Sequence, residues 1–141
     1  MQYLTKEKFI FPISFSEDFS RQGVLVFEPE NSLLEIYVKY FSNRNFVPYV
    51  CRDLDALHNA VNSIRPRALV MGLPEYLNFS EVLSKILFIK NKFSFLPIIS
   101  YAYNLPSAQV KQLMTSGINS HLDRKFSQPR DLVDLVEALL N

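Results

Sequence analysis

Residues 67–76 read RALVMGLPEY, a short apolar run that leads into a Gly-Leu-Pro turn. The four residues 68–71 carry no polar side chain, the pattern of a strand covered on both faces. Similar apolar runs alternate with segments of helical period on either side, which makes this run the central strand of a doubly wound parallel sheet. Ligands in such sheets bind at the carboxyl ends of the strands, so Gly72 stands where chemistry is normally done. A glycine has no side chain with which to do it.

Upstream, residues 23–27 (GVLVF) form a first fully apolar strand. Asn31 and Ser32 follow as a cap for a helix in which Leu33, Leu34, Tyr37, Val38 and Phe41 recur at helical spacing. Residues 46–51 form a second strand, with Pro48 tolerable only near a sheet edge or a strand start. Asp53 or Asp55 caps a second helix with Leu54, Leu57, Val61 and Ile64 on one stripe and His58 beside it, and Pro66 stops it. Downstream, Ser80 begins a third helix, residues 96–101 form a fourth strand, Pro106 and Ser107 open a fourth helix, and Gly117 ends it. Residues 118–122 supply the fifth strand, and Ser127-Gln128-Pro129 start a last helix with a continuous apolar face.

The sum is an α/β, flavodoxin-like fold: five β-α units in a five-stranded parallel sheet of order 2-1-3-4-5, with right-handed crossovers. That order brings residues 28–30 and 72–76 to one pocket mouth. The domain covers residues 23–141. Residues 1–22 form an N-terminal extension, whose run FIFPISF (9–15) reads as an edge strand or a packed arm because of Pro12.

The 141-residue length fits one domain. Fifteen basic and 14 acidic residues give a net charge of +1, so no electrostatic footprint for nucleic acid is present. The single cysteine, Cys51, excludes a disulfide scaffold, a cysteine-based zinc site and a CxxC centre, and is expected as a small buried side chain at a strand end. The apolar run of the extension is too short, and too soon interrupted by Pro12, for a signal sequence or a membrane span, so a cytoplasmic location is expected. Only Gly23, Gly72 and Gly117 occur, in neither a GxGxxG nor a P-loop pattern, and no cofactor is expected.

Element order and several local strings resemble the receiver domain of bacterial two-component response regulators. GVLVFEPE stands where that family has a strand ending in two acidic residues, and RALVMGLPEY where a strand ends in the phospho-accepting Asp. LPIISYAY stands at the strand ending in Thr or Ser, and GINSHLDRKF at Gly-Ala-x-x-Tyr-Leu-x-Lys-Pro-Phe. The resemblance implies an Asp nucleophile, an acid-held Mg²⁺, and a Lys and a hydroxyl for the phosphoryl oxygens. Each position departs from the pattern. The nucleophile position reads Gly72, the acidic and metal positions read Glu28 and Pro29, the Thr/Ser position reads Ala102, with Ser100 two residues before it, and the Lys position reads Arg124. The switch-aromatic position reads His121.

The departures imply a pseudo-receiver with no catalytic residue and no bound metal. Glu28 and Glu30 are read either as weak recruiters of Mg²⁺ or as solvated acids at a helix N-terminus. Arg124 is read as an anion binder or as a surface or ion-pairing side chain, and His121 as a half-buried side chain facing the last two helices. The expected role is phosphorylation-independent signalling through protein-protein contact, with a partner or a second copy meeting the face of the fourth helix, fifth strand and fifth helix. Asp123, Arg124, Lys125, Arg130, Asp131 and Asp134 supply mixed charge there, suited to acid meeting base across a two-fold axis. No direct nucleic-acid contact and no membrane contact are expected. The alternative is a regulatory domain that takes a small molecule in an aromatic-lined pocket at Tyr76, Tyr101 and Tyr103.

Overall fold

The computed structural model describes the backbone of residues 3–6 and 9–12 and all of residues 22–141. In chain order the elements are β1 (Tyr3–Lys6), β2 (Phe9–Pro12), β3 (Gln22–Phe27), α1 (Asn31–Asn43), β4 (Phe46–Cys51), a 3₁₀ turn (Leu54–Ala56), α2 (Leu57–Ile64) and β5 (Ala68–Leu73). They continue with α3 (Phe79–Lys92), β6 (Ile98–Ala102), α4 (Ser107–Ser116), β7 (Ser120–Asp123) and α5 (Pro129–Leu140).

The strands form one sheet in the order β1-β2-β4-β3-β5-β6-β7. Its last five members are parallel and, counted within the domain, run 2-1-3-4-5 as the sequence predicts. The first two are an antiparallel hairpin laid on β4. Residues 9–12 are therefore not at the edge, which β1 occupies. Pairing of β2 with β4 is confined to Phe9 with Cys51 and Ile10 with Val50. It stops short of Pro48, which has no N–H to offer a ladder.

Strand parity sorts the core into two layers. Val24, Val26, Val70 and Ile99 pack against Tyr37 and Phe41 of α1 and Leu132, Val133 and Val136 of α5. Leu25, Phe27, Leu69, Met71 and Ile98 pack against Leu57 and Val61 of α2, Ile86 and Ile89 of α3 and Leu113 of α4. Every residue of β5 is buried, as a strand with helices on both sides requires. Cys51 is buried, its thiol 3.3 Å from the Asp53 carbonyl oxygen to which it donates.

Local signals set most boundaries. Gly117 ends α4 at φ 122, a conformation other residues avoid. Gln128 and Asp131 form a reciprocal capping box before Pro129 at the start of α5. Asp53 caps the 3₁₀ turn by accepting from Asp55 N–H at 2.8 Å. Several boundaries differ from the sequence reading, β6 and β7 among them, which cover 98–102 and 120–123 rather than 96–101 and 118–122. Asn78, not Ser80, caps α3, through Glu81 N–H at 3.2 Å. Glu30 precedes α1 without a side-chain cap, so Asn31 and Ser32 lie inside the helix. Gly72 and Leu73 stay in β5, paired with Tyr101 and Ala102, because β6 continues the ladder after the pairing with β3 has ended at Met71.

Candidate functional site

Four strands deliver their carboxyl ends to one edge of the sheet. Glu28 follows β3, Gly72 lies near the end of β5, Ala102 ends β6 and Arg124 follows β7. Counting two by two from Val24 and Val70 puts Glu28 and Gly72 on the side of α1 and α5. Tyr37 comes down from α1 onto the same spot.

Glu28 is fully buried. Its Oε1 accepts from the Tyr37 hydroxyl at 2.7 Å and from Arg124 Nη2 at 2.6 Å, and its Oε2 accepts from Glu30 N–H at 3.1 Å. Arg124 Nη2 also donates to the Tyr37 oxygen at 2.6 Å, and its guanidinium lies 4.7 Å from the Tyr101 ring centre. The Arg124 side chain is 19% exposed. Burial, then the Glu28 charge, pushes the Tyr37 hydroxyl up, which fixes it as a donor to the carboxylate. Burial opposes the Arg124 charge, but Tyr37 and Glu28 outweigh it and hold the guanidinium above its ordinary value. Glu28 is thus not a solvated acid at a helix end. It is an acid whose oxygens are consumed by internal donors, as a buried carboxylate requires.

Gly72 completes the arrangement. A β-carbon there would overlap Oε1 of Glu28 and stand 3.0 Å from its Cδ and 3.1 Å from the Phe27 carbonyl oxygen. Any side chain at position 72 competes with Glu28 for one space. The residues do not fit the Mg²⁺ that receiver chemistry employs: Gly72 and Pro29 offer no ligand, and the Glu28 carboxylate is engaged by Arg124 and Tyr37. Among the described residues no cluster of three His, Cys, Asp or Glu could hold a metal ion.

Ala102 is buried in the layer of α2 to α4 and brings no hydroxyl to the site. Ser100 lies on that same face, fully buried, with its Oγ 2.6 Å from His121 Nδ1. His121 is directly opposite it in the ladder and half-buried. It is thus half-buried as expected, but it lies on the sheet face covered by α4 rather than facing both α4 and α5. A Ser-His contact of this length has the geometry of a nucleophile and its base, but a fully buried Oγ has no route to a substrate. Burial lowers the His121 pKa, with Asp123 partly opposing. The carboxylate of Asp123 accepts from Asn104 N–H at 3.0 Å and Lys125 N–H at 2.8 Å, and those bonds hold it below the usual carboxylate range.

The tyrosines expected to line a pocket differ in setting. Tyr101 is 5% exposed and packs edge-to-face on Tyr37 at 6.3 Å, whereas Tyr76 and Tyr103 are 66% and 53% exposed. The mixed-charge face is also reassigned. Arg44 at the end of α1 takes Asp134 at 2.6 Å and also Glu137. Asp131 accepts from Gln128 N–H at 2.7 Å, and Arg124 turns inward. Asp134 is thus already paired within the chain, whereas among the described residues no ion pair engages Lys125 or Arg130.

Sequence reasoning missed Tyr37, which passed as one more apolar residue of a helical stripe. Its signal was a hydroxyl at an inward position, where a buried phenol needs a partner. No described helix is long and apolar enough to cross a membrane.

No protein-family model matches the sequence, and no curated protein matches it. Solved structures do. HP1043, an orphan response regulator of H. pylori, is 18% identical over 85% of this chain and 97% of its own, with a TM-score of 0.74. The receiver domain of Francisella response regulator 1452 is 17% identical over 85% of this chain and 97% of its own, at 0.73. An atypical orphan response regulator described as revealing a phosphorylation-independent regulatory mechanism is 19% identical over 84% of this chain and 94% of its own, at 0.72. With its strand order and its four-strand carboxyl edge, this chain has the doubly wound fold of response-regulator receiver domains.

Proposed function

We propose that this chain is a receiver-type signalling module that works without phosphorylation and acts through protein-protein contact. The observation that carries the reading is the space over Gly72: Glu28 fills it and is tied there by Arg124 and Tyr37. An aspartyl phosphate needs a carboxylate at that position, a divalent cation and a Lys or Arg free to turn toward the phosphoryl group. Here Arg124 already serves a carboxylate of the chain itself. The fold is thereby held in one arrangement, and its output is read by what binds its surface. The similarity to an orphan regulator described as phosphorylation-independent supports the same reading.

Partner contact is assigned to α4, β7 and the outer side of α5. There β7 is an edge strand with every residue half-buried, α4 buries only Leu113, and Met114 is 44% exposed. The site residues offer nothing for direct nucleic-acid recognition. The test is incubation with acetyl phosphate and Mg²⁺, followed by intact-mass measurement and by light scattering with and without beryllofluoride. Unchanged covalent mass and unchanged oligomeric mass are expected. A phosphoryl adduct, or a change of oligomeric mass with the mimic, overturns the proposal.

A further inference from the structure

The opposite end of the sheet carries a cavity of about 450 Å³ at the amino-terminal ends of β5 and β6, where α2 and α3 finish. Val61, Pro66, Phe93 and Leu96 contribute apolar surface, and Arg65, Arg67 and Lys92 stand around it with Phe95. No acidic residue lines it. We propose that this cavity binds a small anion with an aromatic body, an aryl or heteroaryl phosphate, sulfate or carboxylate, its ring on the phenylalanines and its charge on the two arginines and Lys92.

Three observations point the same way. The first is the charge: three cations converge on one concavity with no lining carboxylate to neutralise them. A helix C-terminus favours a nearby cation, which accounts for Lys92 in the last turn of α3. It does not account for Arg67, which lies outside any helix. The second is Arg65, which ends α2 at φ 52 and ψ 59, the left-handed position that glycine occupies at so many helix ends. An arginine there adds strain that glycine would relieve. The third is Phe95, a large apolar side chain left 97% exposed at the rim.

The cations already show the pairing that such a ligand would use. The Arg65 guanidinium lies 5.7 Å from the Phe93 ring centre and Lys92 Nζ lies 5.7 Å from the same ring, so cation and aromatic surface are presented side by side. The Arg65 Nε–H donates to the Asn62 carbonyl at 3.0 Å, which orients the fork. The cavity volume is in the range that small-molecule sites occupy. The site lies at the far end of the sheet from Glu28, so it stands or falls independently of the phosphorylation-independent reading.

The experiment is calorimetric titration of the full chain with 1-naphthyl phosphate, 1-naphthol and inorganic phosphate in parallel. Saturable binding of the ester is expected, at least about tenfold tighter than either fragment, since each fragment engages only half of the site. The Arg65→Gln/Arg67→Gln variant should lose about tenfold in affinity, and Phe95→Ala should also weaken binding. Arg65→Gly gives an independent reading: it should keep or raise the melting temperature of the parent and still weaken the ester, because it removes strain and cation together. Absence of saturable ester binding, equal binding of inorganic phosphate, or affinity unchanged in the double variant would each overturn the proposal.

Discussion

Glu28 occupies the space that a side chain at Gly72 would need: its Oε1 overlaps the position of a β-carbon there, and its Cδ lies 3.0 Å from it. The two residues exclude one another's alternatives. An acid or even an alanine at position 72 requires Glu28 to leave Arg124 and Tyr37.

Gly72→Ala should therefore destabilise the chain by about 1–3 kcal/mol, the range for overpacking a filled site. Urea unfolding monitored by circular dichroism measures it. Glu28→Ala with Gly72→Ala should show strong non-additivity, the double variant being more stable than the sum of the singles implies, because the two groups contest one volume. Additive losses would mean that Glu28 is not the obstacle.

Arg124→Met should be more damaging than Tyr37→Phe. The first leaves a fully buried carboxylate without its cation, a change in the class of about 3–5 kcal/mol. The second removes one hydroxyl from a carboxylate still held by Arg124 and Glu30 N–H, about 1–2 kcal/mol. Equal effects from the two variants would show that the charge pairing contributes little.

Stability should fall as pH drops below neutrality. Burial lowers the His121 pKa in the folded chain, with Asp123 opposing, and burial with Lys92 and Lys85 lowers that of His58. The unfolded chain then binds the proton first, so stability is complete above about pH 6.5 and is lost as pH falls through the interval down to the folded-state values. Urea midpoints at pH 7.5 and 5.5 test this, and His121→Phe should shrink the difference between them. Asp123, whose pKa is lowered, contributes in a separate and more acidic window, its stability being lost as its carboxylate protonates.

Removing residues 1–21 should leave a folded domain running from β3 to α5 while uncovering the β4 edge that β2 covers. Unpaired strand edges template association. Light scattering should show a concentration-dependent rise in mass for the truncated chain, together with a retained cooperative unfolding transition. Loss of that transition would mean that the hairpin is part of the folding unit rather than an extension of it.

Local chemistry wrote much of this structure into the chain. Apolar runs marked the five parallel strands, Gly117 and Pro129 marked helix ends through their own backbone preferences, and alternation of strand with helix led to the 2-1-3-4-5 order. The positions Gly72, Pro29, Ala102 and Arg124 could be singled out in advance because each belongs to a recognisable string. The roles of Glu28 and Tyr37 could not. Glu28 and Arg124 are 96 residues apart, and whether an acid beyond a strand end meets water or an arginine depends on which face strand parity gives it and which helix lies over that face. The same holds for Asp134, drawn to Arg44 across 90 residues, and for the cations around Phe93, gathered from two helix ends and a strand start. Period and propensity act over a few residues and reveal the elements, whereas the desolvation that turns a surface acid into a buried ion pair exists only once distant elements have closed over it.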